Sequence, residues 1–157
     1  MNPTIVERET MKFAGLSTLI RSSSNTRNDM TNVPSLWQEL KPLISDLHSR
    51  VGTERYALIV GDLAERVGES YYHALVQVRD FEGLSESLVT FELPKGRRAM
   101  FTHKGPPETA GDTIIEMLRN WLPASQESIS KNFELFIFHS GYDRNDPEGE
   151  FECCVFL

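Results

Sequence analysis

Along the chain, short runs in which apolar and β-branched residues alternate with polar ones are interrupted twice by stretches of helical spacing. Residues 10–20 (Thr10-Met11-Lys12-Phe13-Ala14-Gly15-Leu16 and onward) predict a first strand. Residues 21–32, rich in Ser, Asn and charge, predict a polar loop or a lid. Over 34–50, Leu36, Leu40, Leu43, Ile44 and Leu47 recur at helical spacing, with Pro34 suited to a first turn and Gly52 beyond the end. Pro42 lies inside that stretch, where a proline costs about 3 kcal/mol unless the helix bends. Strands are predicted at 56–60, 71–78 and 87–93, then a Pro94-Lys95-Gly96 turn and a returning strand over 97–103. Residues 112–122 predict a second helix whose apolar face carries Ile114, Ile115, Leu118, Trp121 and Leu122, ended by Pro123. The last two strands, 133–138 and 151–156, are joined by a charged loop over 142–149.

The order of elements repeats although the residues do not. One strand–helix–strand–strand unit runs 10–20, 34–50, 56–61 and 71–78, and another runs 97–104, 112–122, 133–138 and 150–156. Two such units side by side predict an α+β domain, an antiparallel sheet with both helices on one side. A cleft between sheet and helices, near the pseudo-twofold axis, is then the expected ligand site.

Composition narrows the function classes. At 157 residues the chain is expected to form one domain over 1–157, with enough apolar residues for a core. A formal charge of −7 argues against direct nucleic-acid binding, which needs a positive field to displace counterions from phosphates. No apolar run approaches the length of a membrane span, and the first nine residues carry no secretory pattern, so a cytoplasmic protein is the default expectation. The two cysteines, Cys153 and Cys154, are neighbours whose side chains would point to opposite faces of a strand, which predicts reduced core thiols. His48, His73, His103 and His139 are scattered, with no paired spacing, so neither a metal site nor a cofactor is expected. Lys95, Arg97 and Arg98 read as solvation of the turn beside them.

The segment Phe133-Glu134-Leu135-Phe136-Ile137-Phe138 is the most informative. Alternation places Phe133, Leu135 and Ile137 on one face and Glu134 with Phe136 and Phe138 on the other. Both faces are apolar, so the strand is expected to be covered on both sides with Glu134 as the one charge inside. A buried carboxylate needs an answering group. One reading supplies it from the protein, by Arg98 or a tyrosine hydroxyl. The other supplies it from a cationic ligand, with aromatic faces adding to the attraction.

Several short segments, taken in order, resemble a known family. They are Phe13-Ala14-Gly15-Leu16, Leu36-Trp37, Leu93-Pro94-Lys95-Gly96, Ala99-Met100-Phe101-Thr102-His103-Lys104-Gly105-Pro106, Trp121-Leu122-Pro123 with Ser125, and Phe133-Glu134. Together they are similar to the GyrI-like small-molecule-binding domain, the effector-binding half of AraC-type and multidrug-sensing transcription regulators. The resemblance covers nearly the whole chain and implies a two-repeat sheet with a central cleft. It also implies lipophilic or amphipathic cationic ligands, met by a buried glutamate at the position of Glu134 and by aromatic rings. Trp37, Tyr72, Phe101, Trp121 and Phe136 are the candidate rings, and each is equally suited to core packing. Two positions depart from the family pattern: Arg98 stands where a tyrosine commonly precedes the Ala-x-Phe run, and Phe136 replaces the tyrosine of Glu-x-Tyr. An Arg98 that reached Glu134 would itself occupy the cation site.

Three functions compete. The first is a stand-alone binding module, since no recognition helix fits the residues before the first predicted helix. The second is a hydrolase of strained electrophilic small molecules with Glu134 as general base, which rests on the resemblance alone because no GxSxG or Cys–His constellation accompanies it. The third is a protein-binding inhibitor, as some relatives act on DNA gyrase, using the acidic 142–150 loop. An exposed edge strand would allow two copies to pair.

Overall fold

A computed structural model describes residues 2–24, 27–61 and 68–157. Nine strands form one antiparallel sheet: β1 (Thr4–Arg8), β2 (Met11–Ser24), β3 (Arg27–Asp29), β4 (Arg55–Val60), β5 (Gly68–Val78), β6 (Val89–Leu93), β7 (Gly96–Lys104), β8 (Phe133–Phe138) and β9 (Glu150–Phe156). The strand order is β1-β7-β9-β8-β4-β5-β2-β3, with β6 also on β2. Helix α1 (Val33–Ile44) connects β3 to β4. A 3-10 turn (Pro107–Thr109), α2 (Ala110–Glu116), a π turn (Met117–Trp121) and α3 (Leu122–Ser125) connect β7 to β8. The α+β class expected from the pattern is what forms, with the helices packed on one face of the sheet.

Alternation divides the buried residues between the two faces. Ile20, Ala57, Ile59, Tyr72, Ala99, Phe101, Phe136, Phe138, Cys153 and Val155 turn toward Leu36 and Leu40 of α1 and Ile114 of α2. Phe13, Tyr56, Leu58, Leu75, Leu93, Leu135, Cys154 and Phe156 form a second core on the opposite face. That second face is closed by the sheet's own curl. β2 and β7 stand five places apart in the strand order, about 24 Å if the sheet were flat. Yet Nη1 of Arg98 on β7 lies 3.4 Å from Sδ of Met11 on β2. Gly15 permits the bend, because a Cβ there would stand 1.8 Å from the carbonyl oxygen of Ala74 on β5. The adjacent cysteines are buried, one on each face, with no disulfide between them. Burial pushes the Cys154 thiol up to about 12.

Four expectations change. β1 was not foreseen, since only Val6 of its five residues is even partly buried and an exposed edge strand carries no apolar period. Part of the 21–32 segment, expected as a polar loop or a lid, is strand: β2 continues to Ser24 and pairs with β3, with Arg21 opposite Asp29 and an Arg21–Glu69 ion pair at 2.7 Å. Residues 25–26 of that segment lie outside the described residues. The first helix stops at Ile44 rather than running to 50, two residues after Pro42 has removed a backbone donor. Pro123 does not end the second helical segment. The π turn before it, in which the Leu122 N–H reaches the Met117 carbonyl, widens the helix enough to pass the ring, and the chain leaves at Gln126 with φ +65°.

Candidate functional site

Glu134 is buried, 6% exposed, and shares its face of β8 with Phe136 and Phe138, so its carboxylate points to the helix side. Its cross-strand neighbours are Ile59 on β4 and Val155 on β9, both members of the helix-side core. Arg98 is also buried, 2% exposed, but it pairs with Phe156 and belongs to the other face. Its guanidinium lies 5.1 Å from the Phe156 ring centroid, and burial pushes its pKa down. The sheet therefore separates Arg98 from Glu134. It also corrects the reading of Lys95, Arg97 and Arg98 as one solvated cluster: Lys95 and Arg97 pair with Glu9 and Glu127 at the surface, whereas Arg98 turns inward.

The other candidate residues lie on the helix side but do not line one described cavity. Trp37, on α1, donates its Nε1–H to the Tyr72 hydroxyl on β5 at 3.1 Å. These two line a cavity of about 240 Å³ with Met30, Val33, Arg55, Pro107, Phe138, Tyr142, Asp143 and Arg144. Phe101 reaches a separate cavity at the β1 edge, and Trp121 reaches a third beside Asn120 and Ala124. Phe136 packs in the core against the rings of Phe138 and Phe151. Burial pushes the Tyr72 phenol well above its ordinary value, so it stays protonated at neutral pH.

The lining residues Arg55, Phe138, Tyr142 and Arg144 were not singled out in the sequence. Phe138 had a signal, since it alternates with Glu134 and Phe136. Tyr142 and Arg144 were hidden inside a charged segment that resembles any solvated hairpin loop. In the fold, the Tyr142 ring stacks on Phe138 at 5.1 Å and its hydroxyl donates to the Gly105 carbonyl. Arg144 pairs with Glu108, and Lys104 pairs with Glu148. Arg144 and Glu148 of the 142–150 loop are thus engaged by partners elsewhere in the chain. His103 joins β7 to the helical segment through Thr113 at 2.7 Å and the Pro106 carbonyl at 3.1 Å. Among the described residues no group of three His, Cys, Asp or Glu could hold a metal ion, and no helix is long and apolar enough to cross a membrane.

The chain is thus an α+β domain, a curled antiparallel sheet with helices on one face, and comparison gives that fold its family. The GyrI-like small molecule binding domain matches residues 1–157, and the chain belongs to that family. No curated protein sequence matches it. Among solved structures, the EcmrR C-terminal domain is similar with a TM-score of 0.72 at 13% identity, covering 99% of this chain and 96% of that one. SAV2435, solved bound to tetraphenylphosphonium, is similar with a TM-score of 0.68 at 14% identity, covering 99% and 93%. A hydrolase from Listeria innocua is more distant, with a TM-score of 0.54 at 14% identity over 98% and 90%.

Proposed function

We propose that this chain is a small-molecule-binding module for lipophilic or amphipathic cations, taken up between the helices and the sheet with Glu134 answering the ligand charge. The observation that carries the reading is a carboxylate only 6% exposed, directed to the helix side of a strand whose same face carries Phe136 and Phe138. Arg98, the guanidinium that would have displaced a cation, lies across the sheet. The similarity to SAV2435, whose bound molecule is a lipophilic cation, supports the same chemistry. Of the candidate rings, Phe101, Trp121 and Phe136 are proposed to meet an apolar cation, by area and by their negative faces, whereas Trp37 and Tyr72 line a cavity of their own.

Calorimetric titration of the full chain with tetraphenylphosphonium tests the reading. The wild type should bind, and Glu134→Gln should bind roughly tenfold or more weakly, because the substitution removes the charge while keeping the shape. Equal affinities for the two proteins would overturn the role of Glu134. Turnover of a strained electrophilic ring, lost in the same variant, would assign the carboxylate to a general base instead.

A further inference from the structure

The cavity lined by Trp37 and Tyr72 has a chemistry that Glu134 does not explain. Four aromatic side chains, Trp37, Tyr72, Phe138 and Tyr142, surround about 240 Å³, and the charges among its lining residues are Arg55, Arg144 and Asp143. Arg144 is engaged by Glu108. Asp143 accepts the backbone N–H of Asn145 through Oδ1 at 2.9 Å. Arg55 is different: its guanidinium carbon lies 5.5 Å from the Trp37 ring centroid, and among the described residues it makes no ion pair. A guanidinium attracted to the face of an indole still has N–H donors for an acceptor. The Tyr72 hydroxyl is also half used. It accepts from Trp37 Nε1, and its own proton has no acceptor among the described residues although the side chain is 1% exposed.

We infer that this cavity is a second binding site, one that takes a planar aromatic ring bearing a carboxylate. The ring would lie among the four aromatic side chains. The carboxylate would accept from the Arg55 fork, with the Tyr72 proton as a further donor. The volume suits one ring or two fused rings, given that a dry cavity of roughly 150 Å³ accommodates benzene. The site is independent of the Glu134 reading and opposite to it in charge preference.

The test uses two probes of nearly equal shape and opposite charge, 2-naphthoate and 2-naphthyltrimethylammonium, titrated calorimetrically and by tryptophan fluorescence into the full chain. Naphthoate should bind the wild type and quench Trp37 emission. Arg55→Gln should weaken it about tenfold, as expected for loss of a charged hydrogen-bonding partner. Arg55→Lys, which keeps the charge but not the fork, should fall between them, and it preserves the test if the glutamine variant folds poorly. Asp143→Asn should tighten naphthoate binding by removing a like charge. Glu134→Gln should leave naphthoate unaffected while weakening the ammonium probe, so failure of either site is separately visible. No measurable naphthoate binding, or equal affinity in wild type and Arg55→Gln, would overturn the inference.

Discussion

Glu134 and Arg98 are two buried charges on opposite faces of one sheet, and their surroundings differ in kind. Arg98 is enclosed by the sheet's curl: the Phe156 ring lies against it, the Met11 sulfur approaches Nη1, and its Nε and Nη2 have no hydrogen-bond partner among the described residues. The cation acts as part of the closure between β2 and β7. Glu134 faces the interval between sheet and helices, which is bounded by separate elements rather than sealed by neighbouring strands. Burial alone therefore does not mark a binding residue. What covers the buried charge, a continuous sheet or a packed helix, separates the two cases.

The curl itself is the largest target. Gly15→Ala should cost about 3 kcal/mol or more in urea unfolding, because the added methyl meets backbone that cannot yield; a near-neutral result would show that the β2–β5 approach is not fixed. Arg98 should be replaceable by shape but not by a void. Arg98→Ala should lose roughly 2–4 kcal/mol, while Arg98→Met should stay within about 1.5 kcal/mol of wild type or exceed it, since a buried cation with unpartnered donors adds little net stability. Arg98→Met should also retain tetraphenylphosphonium affinity within about twofold, against the roughly tenfold loss expected for Glu134→Gln. If both variants lost affinity equally, the distinction between the faces would fail.

The smallest expected effect is a pH dependence shared by the two faces. His73 on the curled side, bonded to Ser17, and His103 on the helix side both have their pKa lowered by burial. In both, the unfolded chain takes up a proton first as pH falls. Stability should be complete above the ordinary histidine value of about 6.5 and decline as pH drops below it toward the folded values. Melting temperature measured across that window should fall for the wild type, and less for His73→Gln or His103→Gln. A flat profile would remove both histidines from the account.

Much of the fold was legible because its strands carry strong periods. The segment 133–138 announced two apolar faces, and β8 has them. Cys153 and Cys154 announced opposite faces and occupy them. The errors fall where local chemistry and tertiary setting disagree. The polar 21–32 segment carries no apolar period, yet residues 27–29 pair with the end of β2, which offers an open edge. Pro123 reads as a helix stop, yet a π turn accommodates it. For the candidate site, the buried position of Glu134 was readable from alternation. The grouping of Arg55 with Trp37, Tyr72, Phe138 and Tyr142 was not, since those residues come from four separate parts of the chain.

By itself, the amino-acid order determined which residues alternate, which recur at helical spacing, and that one acid sits within a strand apolar on both faces. These are properties of neighbours a few positions apart, set by the fixed periods of strand and helix. Only the tertiary structure decided that Arg98 and Glu134 turn to opposite sides of the sheet, because that depends on how β7 and β9 align in register. It also decided that Met11 meets Arg98 across five strand positions, a contact created by accumulated sheet curvature that no short window of residues contains.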